Sequence, residues 1–161
     1  MILRGLDPGD AGWVLEQHGA HYAAVERFDR SFEVLVARLL AEFIEGHDPT
    51  CERGWIAEAP DGTRLGCVFM ARLDQTTAKL RMFYVVPEAR GSGVAQALLD
   101  ALLAFARGAG YQSVRLWTHE SHRAAGRLYE RNGFALLSSR PVQSFGQNLV
   151  EQSWEKRLAV P

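Results

Sequence analysis

Leu80–Phe105 reads Leu-Arg-Met-Phe-Tyr-Val-Val-Pro-Glu-Ala-Arg-Gly-Ser-Gly-Val-Ala-Gln-Ala-Leu-Leu-Asp-Ala-Leu-Leu-Ala-Phe. Its first half, Leu80 to Val86, is short, apolar and rich in β-branched and aromatic residues, and Pro87 stops it. That is the pattern of a buried strand. In the second half Val94, Ala97, Leu98, Ala101, Leu102 and Phe105 fall at steps of three and four, which predicts an amphipathic helix with a wide apolar face. Between them Arg90-Gly91-Ser92-Gly93 makes a turn with two glycines and no acidic side chain.

A strand, a glycine turn and a helix start together form a site suited to phosphate. The first amides of a helix lack partners within it, and the dipole there is positive. Glycine lets an oxygen approach the backbone, and Arg90 adds a fixed charge. On these residues alone two readings stand side by side: a phosphate cradle, or a junction that needs glycine only to turn. A Walker loop is excluded, because no Gly-Lys-Ser or Gly-Lys-Thr follows. A Rossmann turn is excluded because Pro87-Glu88-Ala89-Arg90 separates strand from glycines and no well-placed acid ends the next strand.

Tyr84-Val85-Val86-Pro87-Glu88-Ala89-Arg90-Gly91-Ser92-Gly93-Val94-Ala95 resembles the acetyl-coenzyme A loop of the GNAT superfamily of N-acetyltransferases, Arg/Gln-x-x-Gly-x-Gly/Ala. Arg90, Gly93 and Ala95 fill its fixed positions. Downstream, Ala125-Gly126-Arg127-Leu128-Tyr129-Glu130-Arg131-Asn132-Gly133-Phe134 resembles the second signature, Ala-x-x-Leu-Tyr-x-x-x-Gly-Phe. Two matches in order, at the right separation, are far more specific than one. Leu116-Trp117-Thr118 and Ser144-Phe145-Gly146 add a likeness to acetyltransferase domains fused behind MarR-type regulators, with no winged-helix segment expected ahead of the domain.

At 161 residues with net charge −1, the chain suits one domain, 1–161, with a sizeable core. Its charge argues against a general nucleic-acid or membrane-surface binder. Cys51 and Cys67 form neither a disulfide framework nor a Cys-x-x-Cys pair. No run approaches membrane-spanning length, and the expected location is the cytoplasm.

In chain order, Ile2 to Leu6 reads as a strand, and Asp7-Pro8 as N-cap and first residue of a helix carrying Trp13, Val14 and Gln17 until Gly19 loosens it. Phe32, Leu35, Val36, Leu39, Leu40 and Phe43 predict a helix over Ser31–Ile44. Trp55–Ala59, Leu65–Arg72 and Leu80–Val86 predict a meander, its first turn at Pro60-Asp61-Gly62. Further strands are expected at Val114–Thr118, Phe134–Ser138 and Asn148–Leu158, with a helix over His122–Arg131 and a loop over Pro141–Gly146. Strands in a run and then alternating with helices indicate an α/β fold, a mixed sheet with helices on both faces. The unit Leu80–Thr118 should be a right-handed parallel crossover, and on topology alone Val114–Thr118 and Phe134–Ser138 also suit parallel pairing. The resemblance implies the GNAT fold: about six or seven strands and about four helices, with the last two strands antiparallel and the central pair splayed around a pantetheine slot.

If the ligand is acetyl-CoA, the reaction is acyl transfer from a thioester to an amine, and three tasks follow. The carbonyl oxygen needs a donor, the leaving thiolate a proton, and the amine must arrive neutral. By resemblance the donors are backbone N–H groups around Phe83, Tyr84 and Val85; otherwise these residues simply complete the sheet. Tyr129 is the candidate acid, since a phenol is protonated at neutral pH and more acidic donors are not needed for a thiolate. Outside the signature it reads as a packing residue. Glu33, Glu120 and His119 are candidates for base or water relay, each against the reading of a solvated group, and no base is assigned.

The cofactor set implied by the resemblance is Phe83, Tyr84, Val85, Arg90, Gly91, Ser92, Gly93, Val94, Ala95, His122 and Arg131. His122 stands where many members carry Asn, three residues before the Ala of the second signature. Arg131 ends a stripe with Arg123 and Arg127 and is a candidate for the adenosine 3′-phosphate, against a solvated face paired with Glu130. Trp13, Phe32, Trp117 and Phe145, with Tyr22 and Phe28, are candidates to line an acceptor pocket for a compact, partly apolar amine; all suit a core equally. His18 and His21, like His119 and His122, share a helix spacing without a third ligand, so no metal site is expected. The main reading is an acetyl-CoA-dependent amine N-acetyltransferase, of a family often dimeric. Its rivals are a non-catalytic acyl-CoA sensing module and a nucleotide-binding module of another fold.

Overall fold

The computed structural model describes residues 1–159. The elements run β1 (Ile2–Arg4), α1 (Asp10–Glu26), α2 (Arg30–Gly46), β2 (Arg53–Glu58), β3 (Arg64–Arg72), β4 (Thr77–Val85), a 3-10 turn (Pro87–Ala89), α3 (Val94–Gly108), β5 (Ser113–His119), α4 (Arg123–Arg131), β6 (Ala135–Ser144) and β7 (Gln147–Arg157). The strands form one mixed sheet in the order β1-β2-β3-β4-β5-β7-β6, with only β4 and β5 parallel neighbours. This is the mixed α/β architecture expected of the GNAT fold.

Strand alternation explains why β2 and β3 are apolar throughout. Trp55, Ala57, Val68 and Met70 face α3 and α4, whereas Ile56, Cys67 and Phe69 face α1 and α2. Successive side chains take opposite faces, and both faces are covered. α3 docks through Leu98, Leu99 and Leu102, each fully buried; at about 1.5–3 kcal/mol per buried leucine, this face anchors the helix firmly.

The central pair is splayed. Parallel pairing of β4 with β5 is confined to Thr77↔Ser113, Ala78↔Val114 and Lys79↔Arg115. Beyond it β5 stays with β7 as far as His119↔Glu151, and β4 stays with β3 as far as Gly66↔Val85. An extra residue in β4 helps to separate them: the register shifts between Cys67 and Phe69, and Met82 takes φ 49°. A bulge of this kind bends its strand and re-aims the side chains beside it.

Three local expectations need correction. The first helix opens at Asp10 after Gly9, whose φ is 97°, rather than at Asp7-Pro8. Asp10 is drawn into the fold by Arg4 and Arg64 at 2.6 and 2.7 Å, so Pro8-Gly9 becomes the turn that delivers it. Gly19 does not loosen α1; a Cβ there would lie 3.3 Å from Glu33 Cδ, so glycine lets α2 pack close. Pro141 does not open a loop, because β6 runs on to Ser144 before the Phe145-Gly146 turn. β6 is an edge strand, where the missing proline N–H costs little. β7 lies between β5 and β6, so these two are not paired, and β6 and β7 are antiparallel.

His18 gives the fold a pH dependence. Its ring is buried, Nδ1 lies 2.8 Å from the Val14 carbonyl, and burial holds its pKa down at about 4. Between the unfolded value near 6.5 and that folded value, the unfolded chain binds the extra proton. This stabilisation is therefore complete above pH 6.5 and lost as pH falls to 4, by about 3 kcal/mol. His21, His119 and His122 are depressed in the same sense. Urea midpoints at pH 7 and pH 4.5 should differ, with H18Q showing the smaller difference; an equal pH response in both proteins would remove His18 as a cause.

Candidate functional site

A cavity of about 610 Å³ opens where β4 leaves β5, walled by the last turns of α1, the start of α3 and one face of α4. At its mouth Gly91 and Gly93 have φ of 75° and 88°, and Gly93 is the N-cap of α3. A Cβ built on either meets nothing within 4 Å. Among the described residues their amides donate to no protein carbonyl or side chain. Arg90 reaches back, Nε to the Val85 carbonyl at 3.3 Å and Nη2 to His21 Nε2 at 3.4 Å. Its guanidinium therefore sits inside the cavity mouth.

The structure brings Phe83, Tyr84, Val85, Arg90, Gly91, Gly93, Ala95, His122, Tyr129 and Arg131 onto this one cavity. Ser92 and Val94 do not line it. Ser92 turns both its amide and its hydroxyl to the Ala89 carbonyl, and Val94 is buried in the core beneath α3. Among the three arginines of α4, Arg123 and Arg131 border the cavity and Arg127 does not. None of the three has an ion-pair partner among the described residues.

Val86 donates to the Leu65 carbonyl, and Tyr84 registers with Cys67. In an antiparallel ladder the alternate residues point the other way, so Val85, between Tyr84 and Val86, turns its amide toward the gap left by β5, and Phe83 lies beside the bulge. The Tyr84 ring turns under α1, 5.5 Å from the His18 ring.

Tyr129 stands at the inner end. Its ring is buried beside Phe83, Phe134 and Trp154, and its hydroxyl bonds to no protein group among the described residues. Burial pushes the phenol well above its ordinary value. Tyr22 lies nearby, its phenol pushed up to about 12 by burial.

A second cavity, about 370 Å³, lies on the α1–α2 side and shares Tyr22, Phe83, His122, Ala125 and Tyr129 with the first. Phe32 and Trp117 line it. Trp13 and Phe145 do not: Trp13 packs against the α1–α2 core, and Phe145 stands behind the wall, 5.0 Å from the rings of Phe28 and Phe32.

At the junction His122 Nδ1 lies 3.2 Å from Thr118 Oγ1, and Nε2 lies 3.2 Å from Glu26 Oε1. That second approach is off the N–H axis, so the contact is electrostatic rather than a hydrogen bond. Burial lowers the His122 pKa, with Glu26 opposing, which favours the neutral ring. Glu33 and Glu120 line neither cavity and are exposed. Glu26 escaped the sequence reading; its only signal was the helical spacing from His18 and Tyr22 to the end of α1.

Among the described residues no helix is long and apolar enough to cross a membrane, and no group of three or more metal-ligating side chains is present.

A strand-to-helix glycine turn feeding a slot between splayed strands is the arrangement of one family of folds. The Acetyltransferase (GNAT) family matches residues 16–134, and the chain belongs to it. It is 32% identical over 90 residues to the amino-acid acetyltransferase of Mycobacterium tuberculosis, covering 55% of this chain and 49% of that protein. The chain spans about half the length of the curated relatives it matches. Among solved structures, yncA of Salmonella typhimurium with its cofactor acetyl-CoA superposes at a TM-score of 0.80, with 20% identity over 98% of this chain and 94% of that one. A point mutant of the spermidine N-acetyltransferase SpeG of Vibrio cholerae superposes at 0.74, again at 20% identity, over 98% and 95%.

Proposed function

We propose that this protein moves the acetyl group of acetyl-CoA directly to an amine. The observation that carries the reading is the meeting of the two cavities at Tyr129, with unpaired glycine amides at the far end of the larger one. Within the family we place it nearest the domains fused to MarR-type regulators. We treat 1–161 as one domain, cytoplasmic, and dimeric by family likeness.

The residues fit the group. The Gly91 and Gly93 amides and the opening turn of α3 suit a pyrophosphate, Arg90 adds charge, and Arg131 borders the same cavity for a further phosphate. Bound acetyl-CoA supplies an activated thioester carbonyl. A backbone amide of the Phe83–Val85 stretch donates to the carbonyl oxygen as it gains charge; a fixed donor of this kind contributes roughly 3–4 kcal/mol. No side chain is assigned the amine proton, which leaves to solvent: His122 bonds Thr118 through Nδ1 and turns a buried Nε2 toward Glu26. Tyr129 gives its proton to the departing sulfur as the C–S bond breaks and the C–N bond forms. Burial raises the phenol, but the same dry cavity raises the proton affinity of the thiolate, so the transfer stays feasible. Among the described residues no Ser or Cys lines both cavities, which supports direct transfer.

Calorimetric titration with coenzyme A, paired with thiol release from acetyl-CoA across a panel of amines, tests the reading. Binding with amine-dependent release is expected. Binding without release from any amine would leave a sensing module instead, and absence of both would end the assignment.

A further inference from the structure

The second cavity carries two cations that the proposed chemistry does not use. Lys79 and Arg81 lie two residues apart on β4, before the bulge, in regular register with Ala71 and Phe69. They therefore share the face that looks toward α1 and α2, and both line the smaller cavity. Arg81 Nε is buried and has no hydrogen-bond partner. Neither side chain has a carboxylate within ion-pair distance among the described residues. Lys79 Nζ rests 4.6 Å from the centre of the Trp117 ring, a contact that orients the ammonium without neutralising it. Burial and then Arg81 lower the Lys79 pKa, with Glu151 opposing.

A buried guanidinium nitrogen with no acceptor costs stability unless something fills its valence. Two like charges side by side in one partly closed cavity add to that cost. On the α2 side Phe32, Leu35, Val36 and Leu39 make an apolar wall, while His18, His119, His122 and Thr118 lie elsewhere around the cavity. Arg81 and Phe83 line the same cavity on either side of the bulge at Met82, a span that a compact molecule bridges. Resting on the acetyl-transfer reading, we propose that the acceptor is an amine bearing an acid group, a carboxylate or a phosphorus oxyacid, seated on Arg81 and Lys79, with an apolar side chain against α2. Polycations such as spermidine are repelled by the same pair.

The test uses matched acceptors at saturating acetyl-CoA: leucine, leucinamide, isopentylamine, the aminophosphonic analogue of leucine, and spermidine. Leucine or its phosphonic analogue should exceed leucinamide and isopentylamine in kcat/KM by about ten- to a hundredfold, even though the amide's amine is the more readily deprotonated. The ratio between the two acids tells carboxylate from phosphonate. R81Q should raise the leucine KM and erase the preference over leucinamide while leaving the acetyl-CoA KM unchanged, and K79Q should do so in part. Because the matched acceptors read the wild-type protein, a poorly folded variant leaves the test intact. Release with leucinamide or spermidine as fast as with either acid overturns this proposal and leaves acetyl transfer standing. Release with no amine overturns both.

Discussion

Y129F is expected to lower kcat for amine-dependent thiol release by about 10²- to 10⁴-fold, the range for loss of a positioned acid, while coenzyme A binds as before. The substitution removes one oxygen from a ring held by Phe83, Phe134 and Trp154. That hydroxyl bonds to no protein group among the described residues, so its removal orphans nothing and the fold should keep its stability. An effect on kcat with thermal stability unchanged therefore separates chemistry from packing. Because the acid acts on the leaving thiolate, the defect should shrink with an acyl donor whose thiol is more acidic. A Y129F protein with wild-type kcat would strip Tyr129 of the role and leave the thiolate to be protonated by solvent.

D10A is expected to destabilise the protein by about 3–5 kcal/mol, the cost of breaking a buried charge pair. In a chain of this size that lowers Tm by roughly 6–20 °C. Asp10 is fully buried. It accepts from Arg4 Nη1 at 2.6 Å, Arg64 Nε at 2.7 Å and the Asp7 amide at 2.6 Å. Burial alone would push its carboxyl up, but the bonds from Arg4, the Asp7 amide and Arg64 hold it at about 2. Folded below its unfolded value, it contributes stability above pH 3.8 that fades as pH falls toward 2. Removing it leaves two arginines facing each other where β1, β3 and the start of α1 meet. D7A serves as the control: that side chain is exposed and 3.5 Å from Arg4, so its loss should cost at most about 1 kcal/mol. Equal effects of D7A and D10A would mean that burial does not govern this ion-pair cluster.

The elements were legible in the chain wherever their cause is local. Periodicity at three and four placed α2 and α3, β-branched runs placed β2 to β5, and Gly91 and Gly93 marked the turn before α3 because only its own residues set its backbone. The Ala125–Phe134 signature drew attention to Tyr129. Local reading failed where a distant group intervened. Asp7-Pro8 looks like a helix start, but Arg4 and Arg64 claim Asp10 instead. Pro141 looks like a loop, but β6 lies at the sheet edge, where proline is tolerated. Trp13 and Phe145 look like pocket residues, but Trp13 packs against the α1–α2 core and Phe145 against Phe28 and Phe32, and neither lines a cavity.

The sequence by itself determined the order of strands and helices, the family, and the glycine turn that opens α3, because hydrophobic spacing and glycine conformation act within a few residues. Only the tertiary structure decided that the end of β4 lacks β5 as a neighbour, that Glu26 meets His122, and that Arg81 faces a cavity lined by no carboxylate among the described residues. Each of these depends on which segments remote in the chain become neighbours, and on where β4 and β5 part. A buried polar group is defined by what surrounds it, and no window of sequence contains its surroundings.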